Sequence, residues 1–170
     1  MSKPFDTRIA DGIAELIFNH PPVNAFDSSG WFAIAAEIDA LGRNDAVRVI
    51  IIAAEGKGFC AGVDIKELAA DSHAIVRVNQ GNYATFKAIH LNPKPVIVAL
   101  HGFVLGGGIG ISGAADIIVA SDCARFGVPE IDRGATCLGL RDLEGTFRLG
   151  QCGFVRALLN QEEDLSGLDG

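Results

Sequence analysis

The stretch Val96-Ile-Val-Ala-Leu-His-Gly-Phe-Val-Leu-Gly-Gly-Gly-Ile-Gly-Ile-Ser-Gly113 decides the fold, because it joins an apolar run to three consecutive glycines. The run is rich in β-branched residues and predicts a buried strand. Residues 100–105 then predict a loop, and the small and apolar residues after the glycines predict a short helix. The first N–H groups of a helix have no internal partner, and the helix dipole adds positive potential there. The stretch therefore predicts a site for negative charge at a helix start.

Three interpretations of these glycines compete. They can allow two backbones to pack closely, hold a phosphate, or present N–H groups to an oxyanion that develops during a reaction. A P-loop is excluded because no Gly-Lys-Ser/Thr follows. Residues 108–113 match the dinucleotide motif G-x-G-x-x-G, with Glu130 beyond it, but the motif does not open directly off its strand. An oxyanion hole needs a second backbone donor, and the glycine-punctuated residues 58–64 are the candidate.

Composition limits the possible function classes. The chain has 170 residues, a net charge of −7 and 49% hydrophobic residues, with a mean hydropathy of +0.30. These values fit a tightly packed α/β protein and argue against general binding of nucleic acid or anionic membranes. The four cysteines lack C-x-x-C pairing and the histidines lack metal-ligand spacing, so we expect reduced thiols and no metal site. With no apolar signal segment and no run of membrane-spanning length, we expect a cytoplasmic protein.

Hydrophobic patterns predict the remaining elements. Strands are predicted at residues 5–9, 13–18, 47–53 and 116–121, and helices at about residues 29–41 and 73–90, with a further helical start at Asp64. Asp27, Ser28 and Ser29 are candidate N-caps of the first helix, and Gly42 can end it. The strand at 47–53 is apolar enough to be fully buried. Residues 125–134 predict a loop that presents Glu130.

A helix that leads into an apolar strand favours a parallel βαβ unit. Ligands of such sheets bind at the carboxyl ends of the strands. We therefore expect the two glycine-rich loops, at residues 58–64 and 102–108, to lie at the same edge of the sheet.

Six segments stand out, in this order: Pro22-Val-Asn-Ala-Phe26, Gly58-Phe-Cys-Ala-Gly-Val-Asp-Ile-Lys-Glu67, Lys94-Pro-Val-Ile-Val98, Gly102-Phe-Val-Leu-Gly-Gly-Gly108, Ala115-Asp-Ile-Ile-Val-Ala120 and Phe126-Gly-Val-Pro-Glu-Ile131. Taken together they resemble the crotonase (enoyl-CoA hydratase/isomerase) superfamily over about residues 6–134. The resemblance implies an α/β fold, the ClpP/crotonase spiral of ββα turns, which usually assembles as homotrimers or hexamers. It also implies a core domain at residues 1–134 and an atypical, partly helical or frayed tail at 135–170, with the C-terminal helical segment of the family largely missing.

The resemblance also implies a set of site residues. The oxyanion hole would consist of the backbone N–H groups of Val63 and Gly107, with Glu130 as the acid/base. Coenzyme A would enter as part of an acyl-CoA substrate and not as a permanently bound cofactor. Its expected contacts are Asn24, Ala25, Phe59, Cys60, Ala61, Gly62, Asp64, Ile65 and Gly106. We interpret Asp64 as a helix N-cap rather than a catalytic group, and His101 as structural. Asp132 and Arg133 flank the expected site and could touch the acyl group.

One departure from the family concerns the reaction. Hydratases of the family use two glutamates, and this chain has Gly110 where the first is expected. One carboxylate suits an enoyl-CoA isomerase of fatty acid β-oxidation, which holds a thioester enolate while one base moves a proton. It also suits a C–C hydrolase, and the segments around Gly106, Ile117 and Pro129 resemble the branch that opens a cyclic β-diketone CoA thioester in steroid breakdown. A third hypothesis is a truncated, inactive relic or assembly partner with an exposed apolar patch.

Overall fold

A computed structural model describes residues 3–71 and 73–128 of the chain. Its strands are β1 (Phe5–Ala10), β2 (Ile13–Phe18), β3 (Ala25–Phe26), β4 (Val49–Ala54), β5 (Gly58–Cys60), β6 (Gly62–Val63), β7 (Val96–Leu100), β8 (Phe103–Leu105), β9 (Ile117–Ala120) and β10 (Arg125–Gly127). Its helices are α1 (Ser28–Arg43), α2 (Ile65–Ala70), α3 (Ala74–His90) and α4 (Gly107–Ala114).

The largest sheet has five strands in the order β1-β2-β4-β7-β9. β1 and β2 form an antiparallel hairpin, whereas β2, β4, β7 and β9 run parallel. Each parallel step requires a crossover, and α1 supplies the one between β2 and β4. This confirms the predicted βαβ arrangement.

The core lies between this sheet and the helices α1 and α3, which pack against each other. The fully buried residues Leu16, Ile50 and Val98 come from three neighbouring strands of the sheet, and Trp31 and Ile34 come from α1. The prediction that the strand near residues 47–53 is fully buried was wrong, because burial in β4 alternates. One face of this sheet is covered by the helices, while the other holds side chains that are only half-buried or exposed.

Most predicted elements are present with shifted ends. Asp27 is the N-cap of α1, since its side chain accepts a hydrogen bond from the N–H of Gly30 at 2.7 Å. The helix passes Gly42 and ends at Arg43, with Asn44 as its C-cap, so the predicted end at Gly42 was one residue short. α3 and β7 cover almost the whole of their predicted ranges.

Two small sheets lie in segments that the sequence predicted as loops. β5, β8 and β10 form a three-stranded parallel sheet in the order β10-β8-β5, and β3 pairs with β6. These strands are two or three residues long, too short for an alternation of apolar and polar residues to indicate them. The pairing of β5 with β8 connects the two glycine-rich loops to each other.

No helix of residues 3–71 and 73–128 is long and apolar enough to cross a bilayer. The same residues contain no group of three His, Cys, Asp or Glu side chains arranged to hold a metal ion.

Candidate functional site

The two glycine-rich loops meet at the carboxyl edge of the main sheet, as the sequence predicted. The strands that precede them, β4 and β7, are parallel neighbours, and each loop contains one strand of the β5–β8 pair. A Cβ placed on Gly62 would lie 3.2 Å from the backbone nitrogen of Gly107 and 3.4 Å from the carbonyl oxygen of Leu105. Gly62, which directly precedes the expected donor Val63, therefore lies next to the other expected donor, Gly107.

Gly107 is the first residue of α4, and its N–H group is available. Gly106 precedes it with φ of +47°, a conformation that glycine adopts without strain, and its carbonyl accepts from the N–H groups of Ile109 and Gly110. The N–H of Gly107 takes part in none of the hydrogen bonds found among the described residues. An unpaired N–H at a helix start is a donor for an anionic oxygen.

The second expected donor, the backbone N–H of Val63, lies in β6. Its neighbour Asp64 donates its N–H to the carbonyl of Phe26 at 2.8 Å, so the N–H of Asp64 points toward β3. Successive peptide groups of an extended strand point in opposite directions. The N–H of Val63 is therefore directed away from β3, and its role as an oxyanion donor remains a prediction.

Two fixed backbone donors can stabilise a carbonyl oxygen that gains negative charge, without help from a side chain. The proximity of Gly62 to Gly107 fits the oxyanion interpretation of the glycines. The close-packing interpretation also holds in part, because a Cβ on Gly108 would lie 2.9 Å from the carbonyl oxygen of Cys60. The third predicted catalytic residue, Glu130, lies outside the described residues, as do Asp132 and Arg133.

Asn24 and Ala25 are two of the expected coenzyme A contacts. Asn24 lies in the loop after β2, which contains a cis peptide bond between Pro21 and Pro22, and Ala25 is the first residue of β3. The Asn24 side chain is buried and makes three hydrogen bonds inside the protein. Ala25 is half-buried and pairs with Gly62. What the structure shows for Asn24 is a structural role, and the contacts of Asn24 and Ala25 with coenzyme A remain predictions.

The other expected coenzyme A contacts differ in accessibility. Phe59 and Cys60 lie in the core, and burial raises the pKa of the Cys60 thiol to about 12. Ala61 and Asp64 are half-buried, and Ile65 is 72% exposed. The Asp64 side chain accepts from the N–H of Lys66 at 2.9 Å, which confirms that it is the N-cap of α2. Of this set, Ile65 is the side chain most open to a ligand.

Comparison with known proteins assigns the chain to a family. The sequence model of enoyl-CoA hydratase/isomerase matches residues 8–143. The chain belongs to the enoyl-CoA hydratase/isomerase family.

Two relatives carry the same name, (7aS)-7a-methyl-1,5-dioxo-2,3,5,6,7,7a-hexahydro-1H-indene-carboxyl-CoA hydrolase. The chain is 52% identical to the protein from Rhodococcus jostii over 131 residues, which are 76% of this chain and 51% of that one. It is 47% identical to the protein from Mycobacterium tuberculosis over 126 residues, 73% of this chain and 51% of that one. The chain thus spans about half the length of these relatives.

The fold comparison agrees with the assignment. The crystal structure described as an enoyl CoA hydratase/isomerase (crotonase) from Legionella pneumophila superposes with a TM-score of 0.76 over 82% of this chain and 56% of that one, at 28% identity. The crotonase fold that the sequence predicted is therefore confirmed for the described part of the chain. The proposed division into a domain at 1–134 and a tail at 135–170 remains a prediction.

Position 110, where hydratases of the family are expected to carry their first glutamate, is tightly packed in this chain. A Cβ on Gly110 would lie 2.2 Å from Cζ of Phe86, a buried residue of α3. Trp31 is similarly close to Gly107, with ring atoms 2.7 Å from the position of a Cβ. Trp31 and Phe86 are buried residues of α1 and α3, and nothing in the local sequence pattern distinguishes a ring beside the candidate site from any other core residue.

A second feature that the sequence did not reveal is the attachment of α2. The carboxylate of Glu67 accepts hydrogen bonds from the N–H of Ser28 at 2.7 Å and from its hydroxyl at 2.6 Å. This contact connects the helix after Val63 to the start of α1. Ser28 and Glu67 are 39 residues apart, so no local sequence motif indicates that they are in contact.

Proposed function

We propose that this chain acts on coenzyme A thioesters and stabilises an enolate oxygen with the N–H groups of Val63 and Gly107. The observation that carries the proposal is the contact between the two glycine-rich loops, in which Gly62 lies against the nitrogen of Gly107. A free N–H at a helix start and a second one at a strand end form a fixed pair of donors. Such a pair stabilises charge that develops at one oxygen and needs no rearrangement during the reaction.

Within this class, hydrolysis of a carbon–carbon bond in a cyclic β-diketone CoA thioester is the activity that we favour. The support comes from the relatives from Rhodococcus and Mycobacterium, which are named as hydrolases of a fused-ring dioxo carboxyl-CoA compound. It also comes from Gly110, because a chain without a carboxylate there lacks one of the two groups expected of a hydratase.

The proposed reaction balances with one water molecule. Glu130 removes a proton from water as the oxygen adds to a ring ketone. The ring carbon–carbon bond then breaks, and its electron pair moves into an enolate conjugated with the thioester, whose oxygen the two N–H groups hold. Glu130 returns the proton to carbon, and the ketone carbon becomes a carboxylic acid.

An enoyl-CoA isomerase is the second candidate, since it needs the same donors and a single base that moves a proton between carbons. Following the family, we also propose a homotrimer or hexamer, a cytoplasmic location, and coenzyme A bound only as part of the substrate. The alternative of an inactive relic or assembly partner predicts that the chain neither binds nor converts acyl-CoA.

Glu130→Gln tests the proposal most directly. The amide keeps the shape of the side chain but cannot act as a base, so turnover should fall by roughly 10²–10⁴-fold while acyl-CoA affinity stays nearly unchanged. Turnover is measured on a panel of 2-enoyl, 3-enoyl and cyclic β-diketone CoA thioesters, and affinity by calorimetry.

Asp45→Asn, which changes an exposed carboxylate of the α1–β4 turn, is the matched control and should leave both quantities unchanged. Tighter binding of NAD than of any acyl-CoA would contradict the proposed substrate class. Full turnover by the Glu130→Gln variant would exclude Glu130 as the base and make Asp132 the candidate.

A further inference from the structure

Phe86 fills the space in which a side chain at position 110 would stand. A Cβ on Gly110 would lie 2.2 Å from Cζ of Phe86 and 2.7 Å from both Cε atoms. The ring is only 4% exposed, so it cannot swing into solvent without leaving the core. By contrast, a Cβ on Gly113, one turn further along α4, would have no atom of residues 3–71 and 73–128 within 4 Å. Within α4, a side chain would therefore meet close neighbours at positions 107, 108 and 110, but not among the described residues at position 113.

The position of the Phe86 ring is fixed by its packing against a second buried ring. It packs edge-on against Trp31, with 6.2 Å between the ring centroids and 77° between the planes. Trp31 is fully buried, and its carbonyl accepts a hydrogen bond from the hydroxyl of Thr85 at 2.8 Å. Both rings lie against one face of α4, because Gly107 and Gly110 are three residues apart on the helix.

We propose that Phe86 determines the reaction specificity of this site by excluding a second carboxylate from position 110. The inference rests on the proposed function and adds a residue to it. A carboxylate at position 110 requires two changes. Gly110→Glu alone supplies the carboxylate without the space for it, and a smaller residue at position 86 alone supplies the space without the carboxylate. A site closed in this way performs chemistry with one base and does not add water to a 2-enoyl thioester.

The packing part of the proposal is tested by thermal unfolding. Gly110→Ala should lower Tm because the new methyl group overlaps the ring, whereas Gly113→Ala, in the same helix, should leave Tm unchanged or raise it. In the Phe86→Leu background the penalty of Gly110→Ala should shrink, because the Cζ position is then empty. A Gly110→Ala variant as stable as Gly113→Ala would overturn the proposal, whatever the activity of the chain.

The specificity part is tested with crotonyl-CoA as the substrate. The rate of its hydration is measured as the loss of the absorbance of the conjugated enoyl group. Gly110→Glu combined with Phe86→Leu should hydrate at least about 10²-fold faster than either single variant, since general acid–base groups contribute factors of that size. Gly113→Glu with Phe86→Leu is the matched control and should show no gain. If the first pair fails to fold, Gly110→Asp with Phe86→Ala takes its place, because the shorter acid needs less room.

The outcomes separate this inference from the proposed function. A folded double variant that binds crotonyl-CoA but shows no gain in hydration overturns the role of Phe86 alone. A wild-type chain that binds no acyl-CoA in calorimetry overturns the proposed function and this inference together. Hydration by Gly110→Glu with Phe86 in place, at unchanged Tm, shows that the ring excludes nothing and also overturns the inference.

Discussion

The side chain of Asn24 joins two loops that are far apart in the sequence. Its Oδ1 accepts from the N–H of His20 at 2.8 Å, and its Nδ2 donates to the carbonyls of Glu55 and Gly58 at 3.0 and 3.1 Å. Its backbone has φ of +52°, which asparagine tolerates better than most residues. Because the loop that leads to Gly58 continues to Val63, Asn24 fixes the approach to one of the two proposed donors.

Asn24→Ala should therefore destabilise the protein. The change removes three hydrogen bonds and leaves two carbonyls without their donor, for which we expect a loss of about 2–4 kcal/mol in the free energy of unfolding. Urea denaturation measures this loss. The matched control is Asn19→Ala, whose exposed side chain makes one long bond of 3.4 Å to Asp6 and whose removal should cost less than about 0.5 kcal/mol. Equal effects of the two changes would contradict the structural role of Asn24.

The same residue shows what sequence can and cannot reveal about single positions. Asp27 and Asp64 were predicted as N-caps because the bond of a cap runs to a residue two or three positions away. Two of the three partners of Asn24, Glu55 and Gly58, lie 31 and 34 residues away, so these two bonds could not be predicted from its neighbours in the sequence. The family resemblance supplied the expectation of a ligand contact, but only the coordinates show that the side chain has its partners inside the protein.

How well a helix or strand could be predicted from the sequence depended on the length of that element. The helices α1 and α3 have 16 and 17 residues, enough to repeat an apolar stripe several times, and the sequence located both. β5, β6, β8 and β10 have two or three residues each, too few for any period, and were predicted as loops. These short strands hold the candidate site together, so the site was predictable from motifs but its scaffold was not.

α2 differs from the other helices because none of its residues is buried. Its clearest attachment is the Glu67 carboxylate, whose side chain is 20% exposed and which accepts both hydrogen bonds from Ser28. An acceptor at the first N–H groups of α1 also interacts favourably with the dipole of that helix. Arg77 lies 3.9 Å from the same carboxylate, a distance that adds little.

Glu67→Ala should release α2 from α1 while the rest of the domain stays folded. Hydrogen bonds to a charged group contribute about 1.5–3 kcal/mol, so local opening should become roughly 10- to 100-fold more frequent. Hydrogen–deuterium exchange followed by mass spectrometry should show faster exchange at residues 65–71. Lys66→Ala introduces the same helix-favouring residue without touching the contact and is the control. Unchanged exchange in the Glu67 variant would mean that other contacts hold the helix.

At the scale of the whole molecule, the main sheet has one covered and one open face. On the open face Ile51, Ile97 and Ile117 are direct partners across three parallel strands. Ile117 is 50% exposed and Val119, on the same strand, is 56% exposed. The two relatives described above extend to about twice the matched length. Contiguous apolar surface of this kind marks an interaction site or a tendency to associate.

We therefore expect the 170-residue chain to self-associate through this face and to bind a hydrophobic dye. Among the described strands, β9 lies at the edge of the main sheet, and lysine side chains introduced on an edge strand oppose its pairing with other chains. Replacing both Ile117 and Val119 by lysine should lower the sedimentation coefficient and the dye fluorescence. Val76→Lys changes an equally exposed side chain on α3, 58% exposed, and should leave both readings as they are. A wild-type chain that sediments as a monomer and binds no dye would show that this face is closed within one molecule.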